Sequence, residues 1–370
     1  MKFSPFKMAE FTSQWPAGSL TNIHSSNPEP LSWEQLQDIT NSDVGQILTQ
    51  SPLGYEPVKG NEKLRHLISH HYHHHIKTDD VVLTSGAQEG IFLVMQALLS
   101  SDDHVIAFTP CFEPLVKVAK NTGALVSTCE LMAHNNWQID WQQLKGKFTT
   151  KTKLLIINFP HNPTGTHISA GELKKLQELC REYDCWLFSD EVFRGLEHES
   201  ENRIPPAADD YEKAISMGVM SKALALPGIR LGWLCCKDPA LLQEIITIKS
   251  HLSICQSSLD GQLCQLIIPH SEAIWQRNTS IILENKTKLR EIIRNNDDFT
   301  WTEPVASATA FVQLNNNQAR FFAQTLAHFH KWLVLPSEVF LTEYQGFRIS
   351  LGVQQSKTVY QQIFNHRPDE

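Results

Sequence analysis

From Val81 onward the chain repeats one pattern: a short apolar run, a turn, then a helix-length segment. "DVVLTSG" leads into "AQEGIFLVMQALL", and "HVIAF" precedes a helical stretch near Glu113 to Asn121. "ALVSTC", "KLLIINF", "CWLFSDE" and "AISMGV" follow. A helix opens at Ser169, where Glu172 completes a capping-box spacing. Apolar runs this short, bounded by turn residues, read as strands buried on both faces. Strands separated by crossover helices build a largely parallel sheet covered on both sides. "IRLGWLCC" follows "AISMGV" with too little chain for a crossover helix, so it is expected to join the sheet antiparallel.

The expected fold class is therefore α/β, a mostly parallel sheet in a large domain with a smaller α+β domain beside it. A chain of 370 residues has room for both. After about Lys249 the texture changes. A long helical pattern runs from Pro269 to Asn296, and short strands are expected near Ala310–Leu314 and Phe347–Leu351. The first thirty residues carry prolines at 5, 16, 28 and 30 with little periodicity, and read as an extended arm on the small-domain side. The expected division is 1–30 for the arm, 31–250 for the large domain and 251–370 for the small one.

Several function classes drop out. The net charge of -8 gives no basic face for nucleic acid. No run of 18 apolar residues occurs, and "MKFSPFKMAEF" has no continuous apolar segment of signal-peptide length. The eight cysteines include no C-x-x-C pair, and several sit in apolar runs, so they are expected as reduced, buried thiols of a cytoplasmic protein. "SHHYHHH", Ser69 to His75, places His70 and His74 four residues apart at the end of a helix expected from Asn61. No cysteine or carboxylate cluster completes a metal site, so the run is expected as a solvated helix end favouring the C-terminal dipole.

Ligands of an open α/β sheet bind at the carboxyl ends of the strands, which selects a short list of residues. In "LTSGAQEG", the free amides at Gly86, Ala87 and Gln88, with the Ser85 hydroxyl, can hold a phosphate; an ordinary βα turn would look the same. Neither a dinucleotide fingerprint nor a P-loop is present. Asn162 ends a strand and is held extended by Pro163. Asp190 ends the next strand, as a turn residue or as a charge partner for a ligand. Lys222 is a lone amine in "SMGVMSKALALPGIRLGW", followed eight residues later by Arg230. Burial would disfavour its charged form, which suits a nucleophile and not stability; a lysine snorkelling to the surface from a partly buried turn would look the same. Arg348 sits in a short strand, "GFRIS", where an arginine calls for an anionic partner such as a substrate carboxylate. A phosphate cradle, an amide, a carboxylate, a desolvated lysine and two arginines match what pyridoxal phosphate requires.

"YEPVKG", "SGAQ", "PCF", "NPTG", "SDEVF", "SKALALPGIRLGW" and "FRIS", in this order, resemble the fold-type-I, class I/II aminotransferases over nearly the whole chain. The resemblance implies a homodimer in which Tyr55 reaches the phosphate in the partner's site. It implies that Phe112 stacks on the cofactor ring in place of the usual tyrosine or tryptophan. Asn162 would bond the phenolic oxygen, Asp190 the ring nitrogen and Lys222 the aldehyde. Ser221 and Arg230 would hold the phosphate, and Arg348 the substrate carboxylate. Lys222, once released, would move the substrate's Cα proton as general base and acid. Two positions depart from the family: Phe193 stands where tyrosine is usual, and Val219 where serine is frequent. "NFPHNPTG", "SDEVFRGLE" and "GVMSKALALPGIRLGW" are also similar to a subgroup containing capreomycidine synthase, which implies an alternative, elimination and cyclisation of an arginine derivative. The main expectation is transamination of an L-amino acid with a 2-oxo acid acceptor. A catalytically silent binding fold is opposed by the retained Lys222 and Asp190.

Overall fold

Seven strands form the central sheet of the computed structural model, which describes residues 3–315 and 318–365. In spatial order they are Val81–Thr84, Gly232–Cys236, Ala214–Val219, Trp186–Asp190, Thr152–Asn158, His104–Thr109 and Leu125–Glu130. Gly232–Cys236 runs antiparallel to both its neighbours, and every other pair in the sheet is parallel. The short reach from Val219 to Gly232 enforces this, as expected from the sequence. The central strands are buried along their whole length, and each fully buried aliphatic side chain contributes about 1.5–3 kcal/mol. The edge strand Leu125–Glu130 is more exposed, and Leu125 is largely so, whereas the opposite edge, Val81–Thr84, is buried throughout.

The helices start where local chemistry says they should. Ser169 caps Ala170–Glu182 through a reciprocal bond with Glu172, and Asn61 caps Glu62–Tyr72. A second sheet of four antiparallel strands follows, in the order Leu335–Pro336, Gly346–Ser350, Thr309–Leu314 and Phe299–Trp301. The helix Ser271–Ile293 realises the long periodic stretch.

Two expectations are corrected. The first thirty residues are not simply extended: Lys7–Thr12 is helical, and Thr21–Asn22 pairs in parallel with Trp332–Leu333. The arm is then pinned at both sides. Ser350 N donates to Ile23 O at 2.8 Å, Glu29 N to Gly352 O at 2.8 Å, and Leu31 N to Ala225 O at 3.2 Å. The histidine run is also not a solvated helix end. The helix stops at Tyr72, so His70 and His74 do not share a helical face. His73 is buried with its ring 3.0 Å from Asp209, and His74 N donates to the same carboxylate at 2.9 Å. A carboxylate 136 residues away captures this run, which no local pattern announces.

All eight cysteines are free; seven are buried and Cys255 is half-buried. Among the described residues no cluster of side chains suits a metal ion, and no helix is long and apolar enough to cross a membrane.

Candidate functional site

Two neighbouring strands of the sheet end on polar side chains. Asp190 is the last residue of Trp186–Asp190, and Asn158 the last of its neighbour. Asn158 clamps both segments: its Nδ2 donates to Asp190 O at 3.0 Å, and its Oδ1 accepts from Asn162 N at 3.0 Å. Sequence reasoning passed over Asn158, although an amide ending an apolar strand was the available signal. Asp190 is 4% exposed, and its Oδ1 accepts only a 3.3 Å bond from Val192 N. Burial pushes its carboxyl up to about 7, against the pull of that amide and of Lys222. It is an acid that lacks a close cation and would regain its charge beside one.

Lys222 follows the strand Ala214–Val219 by three residues. The residue is half-buried. Burial, with help from Arg348, lowers its amine to about 7, while Asp190 opposes the shift. Its Nζ donates to Ser26 Oγ at 2.7 Å and to Asn27 Oδ1 at 2.8 Å. It also lies 5.9 Å from the centre of the Phe193 ring, so position 193 faces the amine. Val219 and Ser221 are buried on either side of the turn.

Arg348 is 2% exposed in the middle of Gly346–Ser350, opposite Phe311 and Leu335. Its Nε and Nη2 both donate to His24 O, at 3.1 and 2.7 Å, and its Nη1 to Asn162 Oδ1 at 2.9 Å. Both acceptors are neutral, so no internal anion answers this cation. Burial pulls the guanidinium down to about 9. The His24 ring beside it is held neutral, its pKa lowered to about 3 by burial and then by Arg348, and its Nδ1 is buried without a partner.

The turn Ser85–Gly86 opens the helix Ala87–Leu98, whose first amides have no intrahelical acceptor. Gly86 has φ +86°, and a Cβ there would stand 2.6 Å from Arg230 Nη2. Only glycine lets that guanidinium close against the turn. Arg230 is exposed to the cleft side and itself has φ +47°. Glu89, in the first helical turn, accepts from Ser85 N. Phe112 follows the strand His104–Thr109, and its ring meets Phe6 edge-on at 5.7 Å.

The structure thus gathers Asp190, Asn162, Lys222 and Arg348 in one cluster, and sets Arg230 against the Ser85–Gln88 turn. Tyr55 stands apart: it is 89% exposed on the single chain. Residues that the sequence reading missed come chiefly from the arm: His24, Ser26, Asn27 and Phe6. The donor set fits pyridoxal phosphate. A cradle that any Cβ would fill, lined by amides and a guanidinium, suits a phosphate. A buried amine suits an aldehyde, and a buried carboxyl without a close cation suits a pyridine nitrogen.

Comparison with known proteins agrees. The family model for aminotransferase class I and II matches residues 31–360. Capreomycidine synthase of Streptomyces vinaceus is 26% identical over 326 residues, spanning 86% of this chain and 82% of that one. Kynurenine–oxoglutarate transaminase 1 of Mus musculus is 33% identical over 166 residues, 42% of this chain and 39% of that one. The crystal structure of a PLP-dependent aminotransferase from Streptococcus suis superposes with a TM-score of 0.91 at 25% identity, covering 99% of this chain and 100% of that one. The chain belongs to the class I and II aminotransferase family and is a pyridoxal-phosphate-dependent aminotransferase of fold type I.

Proposed function

We propose that this enzyme transfers the amino group of an L-amino acid to a 2-oxo acid, with Lys222 as the residue that carries the cofactor and moves the proton. Bound pyridoxal phosphate supplies an electron sink for negative charge at the substrate's α-carbon. The chain supplies the rest. Lys222, with its pKa lowered to about 7, has a large neutral fraction near neutral pH, is nucleophilic toward an aldehyde and, when free, takes the α-proton as general base. Asp190 pairs with the ring nitrogen, Asn162 bonds the phenolic oxygen, and Phe112 covers a ring face. Arg230, Ser85, Ser221 and the amides of Gly86, Ala87 and Gln88 hold the phosphate. Tyr55 reaches the site of a partner subunit, which its exposure supports.

Arg348 binds the substrate's α-carboxylate. A guanidinium has five N–H donors, and three are taken by His24 O and Asn162. One hydrogen on each terminal nitrogen is left, enough for a two-pronged grip on a carboxylate. The His24 carbonyl fixes the plane of the guanidinium and so orients that grip. Asn162 touches Arg348 directly, which lets one amide serve both cofactor and substrate. The observation that carries the proposal is this pairing of a cation that has no internal anion with an amine that has no internal carboxylate, side by side in one cleft.

The proposal also divides the chain into an arm (1–30), a cofactor-binding domain (31–250) and a smaller domain (251–370), which the separation of the seven-stranded from the four-stranded sheet supports. A cytoplasmic homodimer is the assembly proposed. The similarity to capreomycidine synthase favours a second course at the same site: a β-substituted arginine would lose its β-group once the α-proton is removed.

Borohydride reduction of the enzyme followed by peptide mapping is expected to place the pyridoxyl group on Lys222; a label on Lys237 or Lys249 overturns the assignment. A single turnover with a common L-amino acid and no acceptor is expected to release its 2-oxo acid and leave pyridoxamine phosphate. Consumption of a β-hydroxylated arginine alone, with pyridoxal phosphate retained, would replace transamination by the second course. Arg348→Lys is expected to raise KM about ten- to hundredfold, about 1.4–2.8 kcal/mol, with cofactor content unchanged. Loss of cofactor with unchanged KM would assign Arg348 to the phosphate instead.

A further inference from the structure

The arm enters the site through two side chains that no comparison singles out. Ser26 Oγ and Asn27 Oδ1 both accept from Lys222 Nζ, across separations of 196 and 195 residues. Neither oxygen is charged. A neutral amine has two hydrogens and one lone pair. Two oxygens at 2.7 and 2.8 Å take both hydrogens. The lone pair is then left in the fourth tetrahedral direction, away from Cε, Ser26 and Asn27. A protonated amine would instead have a third hydrogen without an acceptor, in a place where burial already penalises its charge.

The arm can hold an amine still because it is itself held. Ser25 Oγ accepts from Asn27 N at 3.0 Å and donates to Asn27 O at 3.2 Å, closing a tight turn. Ile23 O and Glu29 N, on either side, are bonded to the small sheet at Ser350 and Gly352. The same segment presents His24 O to Arg348. One rigid turn therefore touches both groups that would meet the substrate.

We propose that Ser26 and Asn27 are positioning residues that dock the free amine of Lys222 during proton transfer, taking its two hydrogens and leaving its lone pair to the substrate's α-carbon. The proposal rests on Lys222 being the general base. The proton leaves the α-carbon for the Nζ lone pair, and the C–H electron pair stays with the substrate and its bound cofactor. Correct placement of a reacting group within about an ångström is worth on the order of 10²-fold.

The test uses Ser26→Ala/Asn27→Ala, Asn27→Asp and Lys222→Ala in the full chain. In the double alanine variant kcat is expected to fall about ten- to hundredfold with KM and cofactor content unchanged, and the isotope effect from an α-deuterated substrate to grow. Asn27→Asp places a carboxylate against the amine. The pKa of Lys222, read in cofactor-free protein by competitive acetylation and mass spectrometry, should then rise by at least about one unit. Thermal unfolding confirms that each variant is folded. An unchanged isotope effect in the double variant, or an unmoved Lys222 pKa in Asn27→Asp, overturns the proposal while Lys222 remains the base. Full proton-transfer rates in Lys222→Ala overturn the base assignment and this proposal together.

Discussion

Lys249 and Lys222 both sit away from bulk water, and their partners are opposite in kind. Lys249, at the end of the helix Pro239–Ser250, is fully buried, and its Nζ lies 3.4 Å from Glu89 Oε2 and 2.7 Å from Ser253 Oγ. Lys222 has Ser26 and Asn27, both neutral. The carboxylate of Glu89 ties Lys249 to the helix Ala87–Leu98 as a strut. At Lys222 burial, with help from Arg348, lowers the amine to about 7, and its two neutral oxygens carry no charge to oppose that. The two regions also touch: Glu89, the partner of Lys249, accepts from Ser85 N in the turn proposed for the phosphate.

The contrast is broken most severely by removing each amine in turn. Lys222→Ala is expected to cut the transamination rate on the order of 10³-fold or more, the range that a positioned base supplies, while the fold persists. Lys249→Met is expected to do the reverse. It strands Glu89, whose Oε1 already lacks a partner, and should cost about 3–5 kcal/mol of stability. Glu89→Gln in the same chain should recover much of that loss. Denaturant titrations of the single and double variants read this directly. A Lys249→Met protein as stable as the parent would remove the strut from the comparison.

A smaller effect follows from the two pKa values near 7. In the unfolded chain Lys222 titrates near 10.5 and Asp190 near 3.8. Between about 7 and 10.5 the unfolded chain holds a proton that native Lys222 lacks, so stability rises with pH. Between about 3.8 and 7 native Asp190 holds a proton that the unfolded chain lacks, so stability falls as pH rises. The pair therefore contributes least near pH 7 in cofactor-free protein. Lys222→Met should raise the melting temperature most at and below pH 7, with the gain shrinking toward pH 10.5. A gap independent of pH would mean that the amine keeps an ordinary pKa.

The smallest expected effect sharpens the Lys222 side. Phe193 faces the amine and offers no donor. Phe193→Tyr adds a hydroxyl able to stabilise a phenolate, which weakens the phenolate's hold on the neighbouring proton. The visible titration of the bound cofactor should move to lower pH by about one unit or less. No movement would mean that the hydroxyl does not reach the ring.

Asp190, Asn162, Lys222 and the Ser85–Gln88 turn were legible because each lies within a few residues of a strand's carboxyl end. Strand period and turn chemistry act over that range. Asn158 shares the position and was overlooked because its amide looked like the tail of the apolar run. The arm was not legible. Its hydrogen bonds to Lys222 and Arg348 cross 195 to 324 residues, and nothing in "HSSNPEP" has a period that would point to either. His73 escaped for the same reason, since Asp209 lies in a different element.

The amino-acid sequence by itself determined the alternation of strands and helices, the antiparallel return at Gly232 and the end of the sheet where the site is built, because these follow from patterns a few residues long. Only the tertiary structure decided which lysine would meet a carboxylate and which two neutral oxygens. Lys222 and Lys249 are both lone amines among apolar residues when read locally. Their difference lies in one carboxylate from the helix Ala87–Leu98 and two neutral oxygens from the arm, and only the packed chain brings those atoms to them.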